Sequence, residues 1–204
     1  MVELVRETER VVSLVLHVPD WSGHVPGQHV DVRLTAEDGY QAQRSYSIAT
    51  PADGNRVVLT VERLEDGEVS PFLTEELRPG DQFELRGPIG GYFVWNGSGD
   101  SPLHLLAGGS GVVPLMAMLR HRAASGSTVP ATLLYSARTH EGLIYREELD
   151  RLAGGDEALR VAYTLTREQP PGWAGYDRRI DAEMLSEVFG GPDPGATAFV
   201  CGPT

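Results

Sequence analysis

The stretch Leu103-His104-Leu105-Leu106-Ala107-Gly108-Gly109-Ser110-Gly111-Val112-Val113-Pro114 decides the fold class of this 204-residue chain. A short apolar run suited to a buried parallel strand enters a tight glycine turn, and helix formers run from Pro114 to Ala124 with proline in the first turn. The alternation then repeats. Ala131–Tyr135 reads as a strand, Tyr145–Leu152 as a helix, Arg160–Leu165 as a strand, Asp181–Phe189 as a helix and Ala198–Cys201 as a fourth strand. Strands alternating with helices require a parallel sheet, and such sheets gather ligands at the carboxyl ends of their strands.

Upstream the pattern is all β. Expected strands are Val11–Val18, His29–Leu34, Gln43–Ile48, Val57–Arg63 and Gln82–Arg86, separated by turn signals such as Asp38-Gly39, Asp53-Gly54-Asn55 and Pro79-Gly80-Asp81. A small closed barrel suits them, because closure removes unpaired edges. The polar turn-former run Asn96-Gly97-Ser98-Gly99-Asp100-Ser101-Pro102 separates the halves, giving expected domains of 1–97 and 98–204.

Lys plus Arg number 17 against 29 Asp plus Glu, a net charge of −12 without a basic cluster. Duplex nucleic acid and anionic membrane, which demand basic surface, are therefore not expected partners. The single cysteine, Cys201, allows neither an intramolecular disulfide nor the four thiolates of an iron–sulfur cluster, so redox work needs an organic cofactor or a separate metalloprotein. The charged start MVELVRETER and the lack of any 18-residue apolar run make the cytoplasm the expected compartment. The six histidines show no ligand spacing, so no metal site is expected.

Arg44-Ser45-Tyr46-Ser47 puts a planar cation, an aromatic face and hydroxyls at the end of a strand. Guanidinium matches a pyrophosphate, a phenol ring can lie along an isoalloxazine or ribityl group, and a hydroxyl can donate to a flavin nitrogen. In an extended strand Arg44 and Tyr46 face one way and Ser45 and Ser47 the other, and the same letters also suit an ordinary barrel strand. Gly67-Glu68-Val69-Ser70 suits a turn opening a short helix, with a phosphate contact and a plain Ser70 cap as alternatives. Gly108–Gly111 lies in the strand–helix context of a phosphate-cradling turn, although its spacing is neither the dinucleotide fingerprint nor a Walker loop. Tyr135-Ser136-Ala137-Arg138 and Leu165-Thr166-Arg167 end two strands at the same edge, where two cations suit a 2′-phosphate and hence NADP(H), or simply solvent. Cys201-Gly202-Pro203 ends the last strand there, as a small thiol beside a nicotinamide or as an ordinary buried cysteine.

In sequence order, Pro26-Gly27-Gln28, Arg44-Ser45-Tyr46-Ser47-Ile48, Gly67-Glu68-Val69-Ser70, Gly80-Asp81, Gly87-Pro88-Ile89-Gly90, Gly108-Gly109-Ser110-Gly111-Val112-Val113-Pro114 and Cys201-Gly202-Pro203 resemble the ferredoxin–NADP(+) reductase superfamily over essentially the whole chain. The resemblance implies a six-stranded antiparallel FAD-binding β-barrel, then a parallel-sheet α/β domain binding NAD(P), with flavin in the cleft between them. It makes Arg44 the pyrophosphate anchor, with Ser45 in the same motif, Tyr46 the flavin or ribityl contact and Ser47 a catalytic hydroxyl near flavin N5. Val61 and Arg63 match further FAD contacts, and Gly67, Val69 and Ser70 the second phosphate motif. Gly109, Ser110, Gly111, Val112 and Pro114 resemble the nicotinamide nucleotide loop. Ser136, Arg138 and Arg167 resemble nucleotide ligands, Cys201 the catalytic-edge residue beside the nicotinamide, and Gly202 and Pro203 its motif. Such proteins continue past the Cys-Gly-Pro motif with a helix and a strand, so the domain 98–204 is expected to lack its C-terminal segment. The implied activity takes hydride from NADPH onto FAD and passes electrons to a separate acceptor protein: ferredoxin, flavodoxin or another oxidoreductase. Alternatives are reduction of free flavin or ferric chelates, and a flavoprotein electron-transfer subunit that does not bind NAD(P)H. Arg63, Arg120 and Arg122 are candidates for a basic docking face on an otherwise acidic protein.

Overall fold

A computed structural model describes residues 1–203. Contacts group Met1–Asn96 with Met116–His121 in one unit, and Gly97–Leu115 with the chain from Arg122 onward in a second.

Six antiparallel strands build the first unit: β1 (Glu3–Arg6), β2 (Val11–His17), β3 (His29–Thr35), β4 (Gln41–Ser47), β5 (Arg56–Glu62) and β6 (Glu84–Ile89). They form two sheets, β1-β2-β5 and β4-β3-β6. A bridge pairs Ile48 with Leu59, and the Ala49 amide donates to the Val58 carbonyl at 2.8 Å, tying the end of β4 to β5. At the other seam the Gly80 amide donates to the Met1 carbonyl at 3.0 Å. Leu14, Val30, Val32, Ile48, Leu59, Val61, Val69 and Leu73 fill the common core. The central strand β2 is buried on both faces, which is why it reads as an apolar run rather than an alternation. Its one polar core residue, Ser13, is satisfied by the Glu7 carboxylate at 2.5 Å and the Thr60 hydroxyl at 2.7 Å. The four-residue edge strand β1 carries no pattern of its own and escapes a residue-by-residue reading; pairing with β2 places it.

In the second unit four parallel strands run in the order β10-β7-β8-β9: β7 (Leu103–Gly108), β8 (Ala131–Ala137), β9 (Leu159–Leu165) and β10 (Thr197–Cys201). Helices α1 (Val112–Ala124), α2 (Arg146–Gly154) and α3 (Ala182–Phe189) connect these strands, the Met116–His121 stretch of α1 being the part grouped with the first unit. Asp181 caps α3, its carboxylate accepting the Met184 amide at 2.8 Å, and Gly190 ends it at φ 79°. The apolar stripe Met184 and Val188 packs on Leu134, with Leu106 and Ala162 beside it. Register pairs Cys201 with Ala107, Gly108 with Ser136 and Ala137 with Leu165, so all four strands end at one edge.

Candidate functional site

The flavin-binding expectation falls on β4. Arg44 is exposed, while Tyr46 is half-buried against the core. The Arg44 Nη2 donates to Glu68 Oε2 at 3.1 Å and its Nη1 to the Gln43 carbonyl at 2.6 Å. That ion pair brings two motifs together that are 24 residues apart, since Glu68 sits inside Gly67–Ser70. The Gly67–Ser70 turn is tight: a Cβ on Gly67 would lie 2.8 Å from Ser70 Oγ, and the buried Ser70 hydroxyl accepts the Leu64 amide at 3.1 Å. Burial pushes the Tyr46 phenol up to about 12, partly offset by Arg44, so it stays a protonated donor at neutral pH. A guanidinium, a neutral phenol and a tight turn beside them on one unit fit a flavin carrying a pyrophosphate.

Gln28 organises the end of this strand. Its side-chain oxygen accepts the Val25 amide at 2.8 Å, its amide nitrogen donates to the Gly90 carbonyl at 2.7 Å, and its backbone carbonyl accepts the Ile48 amide at 3.0 Å. Three of the motifs quoted above therefore meet at one residue, Gly87–Gly90 through its side chain and Arg44–Ile48 through its backbone. Gly27, at φ 99°, leaves no room for a Cβ, which would fall 2.0 Å from the Phe93 carbonyl oxygen.

His24 holds the chain just beyond Ser47. The Trp21 indole donates to His24 Nδ1 at 3.0 Å, so that nitrogen is unprotonated, and Nε2–H donates to the Thr50 carbonyl at 2.8 Å. Burial lowers the His24 pKa below its ordinary 6.5, outweighing the Thr50 bond. The unfolded chain therefore takes up this proton first. His24's contribution to stability is complete above about pH 6.5 and is lost as pH falls from there through the lower folded-state value. Denaturation midpoints measured from pH 8 to 5 are expected to fall below pH 6.5, and His24→Gln to remove that component; an unchanged slope in the variant counts against it.

In the second unit the glycine turn and the Cys-Gly-Pro motif are in backbone contact. A Cβ on Gly111 would lie 2.2 Å from the Cys201 carbonyl oxygen, and one on Gly202 would lie 3.2 Å from the Gly108 Cα. Gly109 takes φ 51° with open space around it. Beside this turn, the Arg167 amide donates to the Arg138 carbonyl at 2.9 Å and the Glu168 amide to the same oxygen at 3.2 Å, which fixes the two arginines together. Both side chains are exposed, and among the described residues neither guanidinium has an ion-pair partner. An open glycine turn with two such cations at a strand edge fits a phosphorylated nucleotide. Burial raises the Cys201 thiol pKa, so it faces the edge as a neutral thiol rather than a nucleophilic thiolate.

Other expected residues lie differently. Ser45 turns to the opposite face from Arg44 and donates to Asp31 at 2.6 Å. Val61, Val69, Val112 and Pro114 are buried, so only their backbone is available to a ligand. Ser47, Ser110 and Ser136 are half-buried, and Gly202 and Pro203 exposed. Arg63 is paired with Glu75 and its backbone with Arg10. The basic docking face does not form from the expected residues. Arg122 is only 1% exposed, donates to the Val129 carbonyl at 2.6 Å and pairs with Asp156, whose carboxyl it holds below the ordinary range. Arg120 donates to the Ala49 carbonyl at 2.7 Å. Spacing does not reveal this, because it does not tell a buried guanidinium from a solvated one. Sequence alone assigns Glu68, Gln28 and His24 no roles, because each has a decisive partner far along the chain: Arg44 for Glu68, Gly90 for Gln28 and Thr50 for His24. Among the described residues no cluster of metal-ligating side chains occurs, and no helix is long and apolar enough to cross a membrane.

The oxidoreductase FAD-binding domain pattern matches residues 3–94 and the oxidoreductase NAD-binding domain pattern residues 105–204. Ferredoxin--NADP reductase B of Sorangium cellulosum is 36% identical over 181 residues, 86% of this chain and 72% of that protein. NADH-cytochrome b5 reductase 1 of Aspergillus terreus is 31% identical over 185 residues, 87% of this chain and 62% of that protein. The chain spans about half the length of several other curated relatives. The cytochrome b5 reductase domain of Ulva prolifera nitrate reductase shares the fold, with a TM-score of 0.86 at 24% identity over 99% of this chain and 85% of that one. The chain belongs to the ferredoxin–NADP(+) reductase superfamily. It is an oxidoreductase chain with an FAD-binding and a pyridine-nucleotide-binding domain.

Proposed function

We propose that the chain, as domains 1–97 and 98–204, takes hydride from NADPH onto FAD and delivers the electrons to a separate acceptor protein. The observation that carries the nucleotide half is the convergence of the Gly108–Gly111 turn, Cys201–Gly202 and two exposed arginines, without an ion-pair partner among the described residues, at one sheet edge. When bound, the flavin accepts a hydride and releases electrons to an acceptor, chemistry that belongs to the cofactors. The chain binds and orients. Arg44 and the Gly67–Ser70 turn would hold the pyrophosphate, Tyr46 would donate to the flavin from a phenol that stays protonated, and Ser47 would offer its hydroxyl to the flavin ring. Val61 and Arg63 contribute contacts from the neighbouring strand, Val61 through its backbone. The backbone of Gly109, Ser110, Gly111, Val112 and Pro114 lines the nucleotide phosphates, with Ser136, Gly202 and Pro203 alongside. Cys201 would pack against the nicotinamide as a thiol that keeps its proton. Relatives named for ferredoxin and for cytochrome b5 support a protein acceptor.

Anaerobic mixing with reduced nucleotide tests this: NADPH is expected to bleach the flavin absorbance, and faster than NADH. Because Arg138 and Arg167 would grip the 2′-phosphate from exposed positions, removing both is expected to raise KM for NADPH by about tenfold while leaving NADH nearly unchanged. Equal kcat/KM for the two nucleotides in the parent protein removes the NADPH assignment. Flavin that neither nucleotide bleaches leaves an electron-transfer subunit instead.

A further inference from the structure

Resting on the reading that Arg44 anchors the flavin pyrophosphate, we propose that Tyr40 is the stacking platform for the flavin's adenine and sets a preference for the dinucleotide over flavin mononucleotide. Tyr40 closes the turn between β3 and β4: its carbonyl accepts the Ala36 amide at 2.8 Å and its amide donates to Asp38 Oδ1 at 3.0 Å. The residue is 57% exposed, so a face of its ring is open to a ligand. The hydroxyl is nonetheless tethered, donating to Glu68 Oε1 at 2.8 Å, while the other oxygen of the same carboxylate accepts from Arg44 at 3.1 Å. One carboxylate therefore fixes the ring and the guanidinium next to each other.

Direction along β4 supplies the rest. On the proposed reading Ser47, Tyr46 and Arg44 would take ring system, ribityl chain and pyrophosphate in order, and the chain runs from Arg44 back through the start of β4 to Tyr40. The half of the cofactor beyond the pyrophosphate is an adenosine monophosphate, whose purine gains from a flat aromatic surface held in place beforehand. Leu64, 59% exposed, flanks the other side of the phosphate turn, its carbonyl accepting the Gly67 amide at 3.0 Å. Tyr92, the other strongly exposed aromatic of this unit, has no tie to Arg44 or the turn among the described residues. Flavin mononucleotide shares the phosphate beside Arg44 but lacks the adenine, so it reports on Arg44 and the fold without reporting on Tyr40.

The test titrates flavin-stripped full-length protein with FAD and with flavin mononucleotide, following flavin fluorescence. Tyr40→Ala is expected to weaken FAD binding about tenfold and leave mononucleotide binding within twofold; Tyr40→Phe, which keeps the ring, is expected to stay within about threefold of the parent for FAD. The proposal is overturned if Tyr40→Ala binds FAD like the parent, if both flavins weaken equally, or if Tyr40→Phe loses as much as Tyr40→Ala. A parent protein that takes up neither flavin overturns the Arg44 reading, and this one with it.

Discussion

Gly111→Ala is expected to abolish tight nicotinamide-nucleotide binding while the flavin stays bound. The φ of Gly111 lies outside the left-handed region, so its conformation alone would accept alanine. Space is what forbids it. The added methyl would fall 2.2 Å from the Cys201 carbonyl oxygen, 2.4 Å from its carbon and 2.7 Å from the Gly202 nitrogen, all backbone atoms that no rotamer change can move. Either the turn or the Cys201–Gly202 segment must shift, at a cost of about 3 kcal/mol. Either shift separates the two segments that would together hold the nucleotide. KM for the nucleotide is expected to rise more than about tenfold, with the flavin absorbance band retained. Gly109→Ala is the contrast: no atom lies within 4 Å of its Cβ, and the cost is about 1 kcal/mol of left-handed strain. A Gly111→Ala protein with parental KM would show that the turn and the Cys-Gly-Pro motif do not work as one site.

The difference between these two glycines also marks what could be read from the letters. Gly108–Gly111 between an apolar run and a helix is a local signal, and so are the strands and helices of the second unit, each legible from periodicity to within a few residues. Asp181 before α3 is likewise local, a side chain capping the amide three residues on. What stayed hidden is decided by long-range packing. Nothing near Gly111 in sequence foretells that Cys201, 90 residues later, closes over it. Arg122 looked available for docking because one guanidinium is spelled like another, and only the fold buries it beside Asp156. Glu68 is legible as part of a turn motif, but its hold on Arg44 and Tyr40 depends on the β3–β4 hairpin meeting the turn that follows β5. The family motifs identified the chain because their order spans both units, although each is ambiguous alone.

Arg44→Ala should have the second large effect, weakening FAD and flavin mononucleotide alike by roughly 10- to 150-fold, the range that loss of a charge-assisted contact of about 1.5–3 kcal/mol implies. Two contributions add. The fork that would grip the phosphate is gone, and Glu68, whose carboxylate lies 3.1 Å from Arg44, is left facing the phosphates without its counter-charge. The second contribution can be separated from the first. Arg44→Ala combined with Glu68→Gln removes the repulsion and is expected to recover part of the loss, whereas Arg44→Lys keeps the charge without the planar fork and should fall between parent and alanine. Because Arg44 is exposed and its ion pair lies at the surface, the fold itself should be nearly indifferent to these changes, and denaturation midpoints should stay close to the parent's. Loss of flavin affinity without loss of stability is the signature of a ligand anchor; a flavin affinity that survives Arg44→Ala would move the pyrophosphate away from this strand, and an equal loss of both would make Arg44 a structural residue.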